Sequence, residues 1–241
     1  MIKRLINKIL YPETYSSEAY IKHIRNKGGT VGRECHIFNP NTVTIDMTRP
    51  YLIEIGNNVV ITKNVTILTH DYSHTVMRKK YGIQCGDAAK VEVGNNVFIG
   101  IGAMILMGTS IGNNVIIGAN AVVKGKIPDD VVVAGNPAKI VCTIEEYYTK
   151  RKKNQLKCAV DNVLQYRKVL KRNPTIEEMG DAFAWLYLPH NRETVEKYPQ
   201  FFNLPGDNKE DIVKHFVKSS PQFDSYDDFL EYIDNNKENL N

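Results

Sequence analysis

The sequence has no apolar run near the ~18 residues that a bilayer-crossing helix requires, which excludes a helical membrane span of the usual kind. Cysteine is sparse. Cys35, Cys85, Cys142 and Cys158 show neither Cys-x-x-Cys spacing nor a dense framework. That excludes a disulfide scaffold and a thiolate zinc site, and fits a reducing, cytoplasmic compartment. Neither sign of charge dominates: 31 Lys and Arg against 27 Asp and Glu leave +4, too little to argue for nucleic acid, and no nucleic-acid partner is expected. The first ten residues are interrupted by Lys3, Arg4 and Lys8, unlike the apolar stretch of a signal peptide. Their apolar residues follow helical spacing, so a helix packing on its own domain is expected. The alternative is a basic helix that lets residues 1–10 touch a membrane surface.

What is present is 241 residues with 42% apolar side chains, enough for a sizeable core and an appendage without covalent staples. Residues 16–27 read as a second helix, stopped by Gly28-Gly29. Residues 1–29 are therefore expected to form short N-terminal helices. The period then changes. From Val93 a branched aliphatic recurs every sixth residue through Ile99, Ile105, Ile111, Ile117 and Val123, with a second set at Val97, Ala103, Thr109, Val115 and Ala121. A period of six would scatter around a helix, and a plain strand does not explain the recurring Gly-Asn-Asn between the aliphatics. A coil explains both: each hexapeptide makes a short strand and a corner, and three close a triangular turn stacked ~4.8 Å on the next. Gly and Asn suit the corners because they tolerate left-handed backbone.

The same spacing links Val31, Ile37, Val43, Ile55, Ile61 and Ile67, with Val59, Val65 and Cys35 in the second interior set. The phase is expected to persist into the later tract across two interruptions, at 46–51 and in a loop over 68–90. Long loops in a compact repeat commonly carry function. The coil domain is placed at 30–143. An α-helical extension follows over 144–241, opened by the capping-box signal Thr143-Ile144-Glu145-Glu146, with further starts at Thr175 and Ser225. Its residues Phe183, Trp185, Tyr187 and Leu188 read as an apolar face.

One titratable side chain stands where a strand gives way to the long loop: His70, in Thr69-His70-Asp71-Tyr72-Ser73-His74. A rigid scaffold beside a mobile loop is where a general base is useful. A lone histidine also often only caps a loop, so its setting matters. Ile55-Gly56-Asn57-Asn58-Val59, Leu68-Thr69-His70-Asp71-Tyr72-Ser73, Val93-Gly94-Asn95-Asn96-Val97-Phe98-Ile99-Gly100, Ile111-Gly112-Asn113-Asn114-Val115-Ile116-Ile117-Gly118-Ala119 and Ala134-Gly135-Asn136-Pro137-Ala138 are the segments in question. Over roughly residues 30–145 they resemble the left-handed β-helix O-acetyltransferases of the hexapeptide-repeat family, nearest by motif to maltose, galactoside and polysaccharide O-acetyltransferases.

The resemblance implies a mainly β fold, a left-handed parallel β-helix forming a three-sided prism. It also implies a homotrimer with active sites between subunits, acetyl-CoA as cosubstrate, and a sugar or oligosaccharide acceptor. His70 matches the catalytic base and Asp46, Arg49, Asp71 and Tyr72 the acceptor side. Gly100, Ile101, Ala119, Lys124 and Lys139 match the coenzyme side, a backbone amide near Gly100 and Ile101 meeting the oxyanion. Asp71 could instead orient His70. No metal is expected, because His70 and His74 lack a third ligand in the sequence. Three other readings stand beside this one: an N-acyltransferase of a nucleotide-linked amino sugar, a non-catalytic trimeric β-helix that binds a partner, and a carbonic-anhydrase-like metal site on the same fold.

Overall fold

The computed structural model describes residues 10–236, so most of the expected helix over 1–10 lies outside the described residues. The chain divides into two units after Tyr147. In the first, fourteen short strands fall in rotation on three parallel sheets. Thr30–Val31, Ile53–Ile55, Val91–Val93, Ser110–Ile111 and Lys126–Ile127 make the first sheet. His36–Ile37, Val59–Ile61, Val97–Ile99, Val115–Ile117 and Val131–Ala134 make the second, which Lys139–Thr143 extends antiparallel. Thr44–Ile45, Thr66–Ile67, Met104–Ile105 and Val122–Val123 make the third.

The pairing registers measure each turn. Val97 pairs with Val115, 18 residues on, as three hexapeptides require. Ile55 pairs with Val93, 38 residues on, so residues 68–90 add one turn's worth of chain plus two, and the expected phase is lost there. Across 46–51 the phase survives through two compensating insertions. Ile45, not Val43, pairs with Ile67, a shift of two caused by the 3₁₀ turn Pro40–Thr42; four further residues before Ile53–Ile55 restore the count. The expected loop over 68–90 also contains a helix, His74–Tyr81, closed by Gly82 in the left-handed conformation.

Period-six aliphatics and the second set fill the interior together: Ile99, Ala103, Ile105, Ile117, Ala121 and Val123 are all wholly buried. Each buried Val or Ile contributes about 1.5–3 kcal/mol. Corners are held by side-chain ladders. The Asn57 amide donates to Asn95 Oδ1 (2.9 Å), that of Asn95 to Asn113 Oδ1 (2.9 Å), and that of Asn113 to Asp129 Oδ1 (2.7 Å). Asn96 and Asn114 adopt φ of 55°. Gly94 precedes such a corner because a Cβ there would lie 2.5 Å from the Gly112 carbonyl oxygen one turn on.

The first turn of a stacked coil exposes backbone groups that a previous turn would otherwise satisfy. The helix Ser17–Asn26 meets all three sheet edges with one polar side chain each. Arg25 donates to the Val31 carbonyl (2.9 and 2.8 Å), Ser17 Oγ accepts from the Ile37 amide (2.9 Å), and Tyr20 Oη accepts from the Ile45 amide (3.1 Å). Tyr20, Ile21 and Ile24 pack into the coil's core.

In the second unit, helices Ile176–Met179, Asp181–Tyr187, Arg192–Lys197, Lys209–Lys218 and Tyr226–Asn235 surround an aromatic core of Tyr187, Phe202, Phe216 and Phe229. The long helix Ile144–Leu170 contributes Ala159, Val160 and Val163 to it. The expected helix starts at Thr143, Thr175 and Ser225 are capped as the sequence signals. No helix among the described residues is long and apolar enough to cross a membrane.

Tyr20→Phe removes the acceptor of the buried Ile45 amide. Urea unfolding is expected to give a loss of about 1–3 kcal/mol; an unchanged midpoint and slope would contradict the capping role.

Candidate active site

Both long departures from the 18-residue turn leave the third sheet at the same corner, one turn apart. Ile45 pairs with Ile67, and the Asp46 amide donates to the Ile67 carbonyl (2.9 Å), so residues just past each strand face one another. Asp46 is buried there, and His70 Nδ1 lies 2.5 Å from its Oδ2. The Thr69 hydroxyl (2.5 Å) and amide (3.2 Å) donate to the same oxygen, while the Thr48 hydroxyl (2.6 Å) and amide (3.0 Å) donate to Oδ1.

Burial acts to raise the Asp46 pKa, but hydrogen bonds from Thr48, Thr69 and His70 outweigh it and hold the carboxyl well below the usual carboxylate range. An ionised carboxylate only accepts, so His70 Nδ1 carries the hydrogen and Nε2 of the neutral ring carries a lone pair. A carboxylate on one ring nitrogen and a free lone pair on the other make an oriented base. The His70 side chain is 16% exposed, reachable yet held.

The structure rearranges several expected roles. Asp46, expected on the acceptor side, is buried against the imidazole, and both its oxygens are engaged by Thr48, Thr69 and His70. Asp71 does not orient His70: it is exposed, and its Oδ1 accepts from the Ser73 amide (2.9 Å) in a local turn. Adjacent residues on an extended segment point oppositely, which is why the neighbour in sequence is not the partner. Tyr72 is 71% exposed, its ring edge-on to that of His70 at 5.8 Å between centroids. Arg49 lies half-buried in the 46–51 interruption. Thr48 and Thr69 were not singled out by sequence reasoning. The Asp46-x-Thr48 spacing, which suits a local side-chain turn, was the available signal.

The expected coenzyme positions divide between corners. Gly100, Ile101 and Ala119 stack on the corner joining the second sheet to the third, where the Asn120 amide bonds the Ile101 carbonyl (2.8 Å), and Lys139 begins the strand that follows the equivalent corner above. Lys124 lies on the other corner, that of Asp46 and His70, because Ile45, Ile67, Ile105 and Val123 are paired in line. A single chain therefore does not bring Ile101 and Ala119 to His70. The Gly100 amide is also unavailable to an oxyanion, since it donates to the Ile117 carbonyl (2.8 Å). Among the described residues the Ile101 amide has no backbone partner. No group of three or more His, Cys, Asp or Glu among the described residues is placed to hold a metal ion.

The family model described as bacterial transferase hexapeptide (six repeats) matches residues 90–125. Protein CapG of Staphylococcus aureus is 46% identical over 127 residues, covering 53% of this chain and 73% of that protein. The galactoside O-acetyltransferase of Escherichia coli (strain K12) is 35% identical over 125 residues, covering 50% and 58%. A solved maltose O-acetyltransferase from Clostridium difficile 630 is 29% identical, covering 52% of this chain and 75% of that one, with a TM-score of 0.42. The chain belongs to the hexapeptide-repeat acetyltransferase family.

A carboxyl whose folded-state pKa is depressed contributes stability that is whole above the ordinary carboxylate range near about 4 and is lost as pH falls toward the folded-state value. The unfolding free energy of the parent is therefore expected to drop more steeply than that of Asp46→Asn between about pH 5 and 2. Parallel urea-unfolding curves across that series would contradict the network described.

Proposed function

We propose that the protein is an acetyl-CoA-dependent O-acetyltransferase acting on a hydroxyl of a sugar or cell-surface polysaccharide precursor, with His70 as general base and direct transfer. The observation that carries this reading is the Asp46–His70 pair, which leaves Nε2 as the proton acceptor at an accessible corner. A sugar hydroxyl is a weak nucleophile near neutral pH. His70 Nε2 takes its proton as the oxygen attacks the thioester carbonyl, and Asp46 stabilises the imidazolium that forms. The tetrahedral oxyanion needs a fixed donor, for which the Ile101 amide is the candidate. Collapse breaks the carbon–sulfur bond, and the departing thiolate recovers the proton from the ring. No acyl-enzyme is required.

We read the coil as the left-handed, three-sided prism of the family, and the assembly as a homotrimer. Two features support the trimer. Ile101 and Ala119 stand on a different corner from His70, so a second copy is needed to bring that edge to the imidazole. The second sheet also turns Val60, Phe98 and Ile116 outward in register, with Phe98 43% exposed, whereas the first turns out Glu54, Glu92 and Lys126. Lys124 and Lys139 are exposed and are the candidate cations for the coenzyme phosphates. Tyr72 is the candidate platform for the acceptor ring.

His70→Ala is expected to lower kcat by about 10² to 10⁴ in a thiol-release assay with acetyl-CoA and a sugar acceptor panel. Full activity in that variant would overturn the assignment, and transfer to amines alone would favour N-acylation. Phe98→Glu is expected to shift the mass measured by light scattering from trimer to monomer and to remove activity with it. A parent that is itself monomeric and active would overturn the shared site.

A further inference from the structure

The second unit carries a half-open cavity of about 340 Å³, within the range of small-molecule sites. Three tyrosines form its walls: Tyr187, fully buried, Tyr198, buried, and Tyr226, half-buried. The Tyr226 hydroxyl donates to the Pro174 carbonyl (2.8 Å). The Tyr187 hydroxyl is buried and has no partner among the described residues. Folded chains seldom leave such a group unpaired, and those that do commonly use it for a water or a ligand. Glu193 and Asp227 stand exposed among the lining residues, and neither carboxylate has an ion-pair partner among the described residues. Lys197 is the one cation of the lining, its ammonium 5.4 Å from the centroid of the Tyr198 ring.

These groups select by chemistry. An anion would meet two unpaired carboxylates against one ammonium. A cation seeking a cage of aromatic faces would find Lys197 already over Tyr198 and the Tyr187 ring fully buried, leaving Tyr226 alone. A wholly apolar ligand would strip water from Glu193 and Asp227 and return no hydrogen bond. A neutral ring with one apolar face and a rim of hydroxyls meets these requirements: the face lies on the half-buried Tyr226 ring, hydroxyl protons go to Glu193 and Asp227, and a hydroxyl oxygen accepts from Lys197. We propose that this cavity binds a saccharide unit, and that the sugar it takes belongs to the glycan acceptor and is not the one acetylated. The saccharide's belonging to the acceptor rests on the sugar-directed reading above; the cavity's preference for a saccharide does not.

The test is saturation-transfer NMR and calorimetric titration of the full chain with maltose, lactose, N-acetylglucosamine and N-acetylgalactosamine, with tetramethylammonium and inorganic phosphate as comparison probes. Saturable binding of at least one saccharide is expected. It should weaken at least tenfold in Glu193→Gln/Asp227→Asn and persist in His70→Ala. Both substituted carboxylates are exposed, and an unchanged Tm establishes that the double variant is folded. Tyr187→Phe removes the unpaired hydroxyl, so it is expected to leave the Tm of the free chain level or raised while weakening saccharide binding. No saturable saccharide, binding of tetramethylammonium or phosphate in its place, affinity indifferent to the double substitution, or loss of all saccharide binding in His70→Ala would each overturn the proposal. Acetyl transfer is measured separately. Variant-sensitive saccharide binding without transfer would contradict the enzymatic reading alone, and transfer without this binding would contradict the cavity alone.

Discussion

The register of the third sheet is the constraint on which the site depends. Because Ile45 pairs with Ile67, the two residues that follow them leave the sheet side by side, and the two longest insertions into the regular turn emerge there. Asp46 and His70, 24 positions apart, meet only because parallel pairing fixes that alignment. A slip of one residue would exchange interior for exterior along the strand and separate them, and the filled core makes such a slip costly. Stacking of identical corners thus does the positioning that a dedicated site scaffold does elsewhere.

That alignment also sets the electrostatics. A buried carboxylate is expensive unless its lone pairs are met. Here four donors from Thr48 and Thr69 fix both oxygens, and the imidazole supplies the fifth. The threonines hold the carboxylate ionised and in one orientation, and the carboxylate in turn fixes the ring. The coil's other end of the problem, the unsatisfied first turn, is solved by side chains of one helix, Arg25, Ser17 and Tyr20, on the three sheets.

Much of the coil was legible in the sequence because a period of six with Gly-Asn-Asn corners has few alternatives, and the helix starts at Thr143, Thr175 and Ser225 were legible because caps are local chemistry. Turn lengths were not. The 3₁₀ turn at Pro40–Thr42 and the extra residues after Ile45 cancel in the count, so the spacing of Val43 suggested an interior position that Ile45 takes in the sheet. The offset of two after the long loop is likewise visible only in the pairing. His70 stood out by type and place, but its partner did not: Asp71 is near in sequence, Asp46 near in space, and no local rule connects 46 to 70. Gly100 matched a motif, yet its amide is spent inside the coil, which only the hydrogen-bond pattern reveals.

The claim at the centre is that an ionised carboxylate fixes one tautomer of one imidazole. Nitrogen-15 shifts of the His70 ring, assigned by comparison with His70→Ala, measure this directly near neutral pH. The account predicts a protonated Nδ1 and a bare, pyridine-like Nε2 in the neutral ring. A neutral ring carrying its hydrogen on Nε2 would contradict it, because that nitrogen could not accept a proton from an acceptor hydroxyl.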